Sequence, residues 1–106
     1  MVAYHAIRRS EIKLHDKVLV VGSGIIGQML GELSKKAGAS YVAMSEVNDV
    51  KIQKAKEIGI FDEYFDGTDS QRASSFKKAT DGGFDIVFEA VGAADDPMVK
   101  TVVGMN

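Results

Sequence analysis

Val18-Leu19-Val20-Val21-Gly22-Ser23-Gly24-Ile25-Ile26-Gly27 is an apolar run that breaks into G-x-G-x-x-G. Glycines also cluster in ordinary turns, so the spacing alone decides little. The surroundings decide more. A Val/Leu strand pattern precedes the glycines, an apolar-faced helical pattern follows them, and Glu46 ends the next apolar run, 19 residues after Gly27. Strand, glycine turn, helix and a delayed acidic residue are the parts a dinucleotide-binding unit needs, in the order it needs them. The chain reads as one built to bind a nucleotide.

Each glycine has its own task. Gly22 permits the tight turn out of the strand, Gly24 lets a pyrophosphate approach the backbone, and Gly27 lets the helix lie against the sheet. Free N–H groups around Ile25 and Ile26, with the positive helix end, then face the phosphates. The plain alternative is a glycine-rich strand–helix turn with no ligand. A carboxylate at Glu46 can accept hydrogen bonds from the adenosine ribose and repel the extra phosphate of NADP, the plain alternative being a solvated strand-end carboxylate. Ser45-Glu46-Val47 supplies no arginine to receive that phosphate, so the expected cofactor is NAD. Lys51 reaches the adenosine end or is a solvated helix lysine. Val91 and Gly92, small residues closing the fourth strand, are candidate cofactor contacts or simply a strand-to-loop turn.

Outward from the glycines, strands and helices alternate. Val2 to Arg9 is a short helical candidate and Lys17 to Val21 the first strand, continuous in Val and Leu as a strand buried on both faces should be. Ile25, Ile26, Met29, Leu30 and Leu33 form the stripe of the next helix, which contains Gly31 and ends at Gly38. Tyr41 to Ser45 is the second strand. Asn48 or Asp49 caps a helix that Gly59 stops. Glu63 to Asp66 is a short edge strand, Ser70 to Thr80 a helix, and Asp85 to Glu89 the fourth strand. Asp96-Pro97 has the form of an N-cap followed by proline at the first helical position, so a last helix is expected there. Right-handed crossovers make this an α/β, Rossmann-like doubly wound parallel sheet of about four strands in the order 3-2-1-4. The full fold has strands five and six, so a truncated sheet is expected. The outer edge of the fourth strand is then open to self-association, a route to a homo-oligomer.

Bulk properties narrow the class. With 106 residues the chain makes one small domain. A net charge of −2 gives no basic footprint for nucleic acid, and no apolar stretch approaches a bilayer span. The chain has no cysteine, which excludes disulfides and thiolate metal sites and fits a cytoplasmic protein. His5 and His15 stand without neighbouring ligands and read as solvated side chains, so no metal site and no catalytic residue is assigned.

The segments taken together are more specific than the glycines. Tyr4-His5-Ala6-Ile7 stands ahead of Asp16-Lys17-Val18-Leu19-Val20-Val21-Gly22-Ser23-Gly24-Ile25-Ile26-Gly27. Lys36-Ala37-Gly38-Ala39, Ser45-Glu46, Ala55-Lys56-Glu57-Ile58-Gly59 and Gly83-Phe84-Asp85-Ile86-Val87-Phe88-Glu89-Ala90-Val91-Gly92 follow. On these residues the chain resembles the cofactor-binding domain of zinc-type medium-chain dehydrogenases acting on alcohol, sorbitol, butanediol or threonine. Serine before the acidic residue, and Lys51 five positions on, look most like the polyol and butanediol group. The resemblance implies that the glycines carry the pyrophosphate, Glu46 the adenosine ribose, and that Lys51 lies near it. It also implies a fragment of a larger enzyme: the family's zinc ligands belong to a separate catalytic domain, and this chain alone should not turn over an alcohol. A stand-alone nucleotide-sensing module is the alternative function, and a methyl-donor-binding fold a more distant one.

Overall fold

The structure, a computed structural model, describes residues 12–69, 74, 76, 78, 80, 83–93 and 96–105, with the backbone alone for 91–93 and 96–105. The helical candidate at Val2 to Arg9 lies outside the described residues. The elements run β1 (Lys17–Val21), α1 (Ile25–Lys36), β2 (Tyr41–Glu46), α2 (Asp49–Ile58), β3 (Glu63–Asp66), β4 (Phe84–Ala93) and β5 (Asp96–Met105). Between β3 and β4, Ser74, Phe76, Lys78 and Thr80 are helical, within the span expected for the third helix.

The sheet order is β3-β2-β1-β4-β5. β1 pairs in parallel with β2 and β4, and β2 with β3, giving the four parallel strands in the expected order. Alternate residues point to opposite faces, so each face has its own core. Val18, Val20, Val42, Met44, Ile86 and Phe88 pack against Leu30 of α1 and Ile52 and Ala55 of α2. Leu19, Ala43, Phe84 and Val87 face the other way, onto Phe76. Burial on both sides is why β1 and β2 read as unbroken apolar runs.

Helix ends follow their local chemistry. The Asn48 side chain accepts from Lys51 N at 3.1 Å, capping α2, and Gly59 ends that helix at φ 76°. Gly31 tolerates its place inside α1 because the Phe61 ring lies against it; a Cβ there would stand 2.5 Å from the ring edge.

Two expectations are corrected here. Asp96-Pro97 does not start a helix: it opens β5, which folds back antiparallel on β4, pairing Ala93 with Asp96 and Phe84 with Met105. Proline is tolerated at the start of an edge strand, and Val99, Thr101, Val102 and Val103 are β-branched residues that favour an extended chain. The outer edge of β4 is therefore not open. β5 occupies it, and the self-association expected from that edge loses its physical basis. The fourth strand is also longer than expected, reaching Ala93 because the hairpin continues the ladder beyond Glu89.

Candidate functional site

The carboxyl ends of β1, β2 and β4 open into a cleft of about 350 Å³. Its walls are Leu19, Val21 and Gly22 from β1 and its turn, Ser45 and Glu46 from β2 with Val47 just after it, Val87 and Glu89 from β4, and Gly67 and Phe76. Here the chain leaves β1 for α1 on one face while β4 lies on the other side of β1, the switch point where open α/β sheets take ligands.

Gly22 makes the turn with φ 106°, a conformation open to glycine, and its N–H donates to Ser45 O at 2.8 Å. Gly24 precedes α1 in an extended conformation, and a Cβ built on it meets nothing within 4 Å. A Cβ on Gly27, in contrast, would stand 2.2 Å from Gly22 O, so this glycine brings the helix onto the turn. No side chain caps α1 and its first turn carries no acid. The first intrahelical bond runs from Gln28 N to Gly24 O, which leaves the N–H groups of Ile25, Ile26 and Gly27 to an external acceptor. Ile25 is exposed, whereas Ile26 packs against the core.

Glu46 is buried to 8% exposure, beside that turn. Its Oε1 accepts from Ser23 N at 3.0 Å and Ser23 Oγ at 2.7 Å; its Oε2 accepts from Val47 N at 2.8 Å and Asn48 N at 3.0 Å. Burial alone would raise its pKa. The four hydrogen bonds, led by the Ser23 hydroxyl, outweigh burial and hold the carboxyl below the ordinary glutamate range. It is a carboxylate at neutral pH.

The structure brings Lys51 near the turn from the other side. It lines a groove of about 490 Å³ between α1 and α2, together with Ser23, Gly24, Ile25 and Gln28. Val91 and Gly92 are not at a strand-to-loop turn: they continue β4 beyond its pairing with β1, opposite Met98 and Pro97 of β5. Ser23 is the residue that reading the sequence passed over. A hydroxyl between the first two glycines of the motif was the available signal, but its bond to a carboxylate 23 positions away is tertiary. Gln28 extends the same cluster: its Nε2 donates to Ser23 O at 3.3 Å, and its buried Oε1 has no partner among the described residues.

No group of three or more His, Cys, Asp or Glu among the described residues forms a metal site, and the chain contains no cysteine. No helix among them is long and apolar enough to cross a membrane.

Known proteins share this fold. The zinc-binding dehydrogenase family model matches residues 26–103. The (R,R)-butanediol dehydrogenase of Bacillus subtilis is 37% identical over 91 residues, covering 86% of this chain and 26% of that protein. An X-ray structure of 2R,3R-butanediol dehydrogenase from the same organism superposes with a TM-score of 0.72 at 34% identity, over 87% of this chain and 26% of that one. A protein of Sinorhizobium meliloti described as a zinc-binding dehydrogenase and solved bound to NADP gives a TM-score of 0.73 at 28% identity, over 88% of this chain and 28% of that one. The chain spans about a quarter of the length of these relatives.

Proposed function

The chain belongs to the zinc-binding dehydrogenase family, and from that premise we propose that it is the NAD-binding module of a zinc-dependent alcohol or polyol dehydrogenase. The observation that carries the reading is the ionised Glu46 at the end of β2, hydrogen-bonded to the glycine turn at the switch point of the sheet. A carboxylate so placed can accept a hydroxyl of an adenosine ribose and repels a phosphate on that ribose. The relative solved with NADP has the same fold, so fold alone does not choose between the cofactors. Glu46, with no arginine in Ser45-Glu46-Val47, is the reason for choosing NAD.

The described residues fit a dinucleotide. The open space over Gly24 admits a pyrophosphate, the N–H groups of Ile25 and Ile26 donate to it, and Lys51 adds positive charge beside the turn. Val91 and Gly92 are the proposed contacts on the β4 side. When bound, NAD supplies the hydride acceptor for oxidation of an alcohol. The residues here bind and orient it; no group of three or more His, Cys, Asp or Glu among the described residues could hold a zinc, and the family resemblance puts the zinc ligands in a separate catalytic domain.

Calorimetric titration tests the proposal. NAD should bind more tightly than NADP, and Glu46→Gln should erase most of that preference while weakening NAD by about tenfold, the size expected for hydrogen bonds to a charged acceptor. Equal binding of the two cofactors by the unaltered chain would contradict it.

A further inference from the structure

We propose that the Ser23 hydroxyl is an internal stand-in for a ribose hydroxyl, and that a nucleotide must displace it from Glu46 to bind. The inference rests on the reading of Glu46 as the ribose acceptor.

A carboxylate offers about four lone-pair sites on its two oxygens. At Glu46 all four are filled by the protein itself: Ser23 N and Ser23 Oγ on Oε1, Val47 N and Asn48 N on Oε2. A ribose that donates to this carboxylate therefore competes with a donor already in place. Three of the four are backbone N–H groups at the end of β2 and in the glycine turn. They cannot leave without moving the chain, and the Ser23 backbone is held further by Gln28 Nε2 on its carbonyl. The fourth is a hydroxyl on one rotatable bond. It makes the shortest of the four contacts, 2.7 Å, and it can leave by a change in χ1 alone.

The hydroxyl is also the dispensable member of the set. Three N–H groups, at 2.8 to 3.0 Å and divided between the two oxygens, still orient the carboxylate without it. Its role is then to satisfy a buried charge while no ligand is bound, at the expense of affinity when one arrives. Ser23 itself is only 9% exposed, so a displaced hydroxyl has little water to turn to. Ser23 thereby sets how tightly the ribose is held.

The test is a calorimetric titration of the full chain with NAD, on the unaltered protein, Ser23→Ala, Ser23→Thr, Glu46→Gln and Ser23→Ala/Glu46→Gln. Ser23→Ala should tighten NAD binding by roughly three- to tenfold, because a hydrogen bond to a charged group no longer has to be broken. Ser23→Thr keeps the hydroxyl and should bind as the unaltered chain does. The gain should vanish in the Glu46→Gln background. A merely structural role for Ser23 predicts the opposite sign, weaker binding in Ser23→Ala. Unchanged or weakened binding there, with Glu46→Gln still reducing NAD affinity, overturns the stand-in and leaves the ribose role of Glu46 in place. No NAD binding by either the unaltered chain or Ser23→Ala overturns both.

Discussion

Gly24 and Gly27 stand three residues apart in one motif and answer to different forces. Gly27 is required by the protein: a methyl group there would collide with the Gly22 carbonyl, and neither backbone can give way freely. Gly24 has open space and an extended conformation that alanine adopts, so nothing in the folded chain itself demands glycine. Gly27→Ala should therefore lower unfolding stability in urea by about 1–3 kcal/mol or more, the range for overpacking. Gly24→Ala should leave stability within about 0.5 kcal/mol, yet weaken dinucleotide binding by filling the space over the turn. If both variants lose stability alike, the assignment of Gly24 to the ligand fails. The positions of these glycines and of Glu46 are plain in the sequence, because spacing along the chain sets them. Ser23 is not plain, because its partner is brought to it only by the parallel pairing of β1 with β2.

At the scale of elements, the same division holds between what a local pattern records and what packing adds. β1, α1, β2 and α2 are legible because periodicity, an asparagine cap and a glycine stop are all local signals. β5 is not, because an Asp-Pro pair serves a helix start and an edge-strand start equally well, and only pairing with β4 separates them. Gly31 is an intermediate case. In a helix interior alanine is favoured over glycine by about 1 kcal/mol, but here the Phe61 ring, itself buried and set edge-on to Tyr64 at 5.9 Å, occupies the place of the methyl. Gly31→Ala should thus destabilise the chain by about 1–3 kcal/mol despite the better propensity. In a Phe61→Ala background the same change should be neutral or stabilising. Equal effects in both backgrounds, measured as a double-mutant cycle, would remove Phe61 as the cause.

For the whole molecule, the cleft is a product of sheet order. β1 at the centre, β2 on one side and β4 on the other place the glycine turn, Glu46 and Glu89 around one opening, though they are far apart in the chain. α1 and α2 cover one face and Phe76 the other, which leaves the carboxyl ends of the strands as the opening. The central claim is that a dinucleotide sits there, on the turn and against Glu46. Amide chemical-shift mapping of the chain titrated with NAD tests it most directly. The account predicts the largest changes at Gly22, Ser23, Gly24, Ile25, Ile26, Glu46 and Val47, with β3 and the carboxyl-terminal half of α2 undisturbed. Saturable binding whose changes fall elsewhere, leaving the turn and Glu46 still, would contradict it.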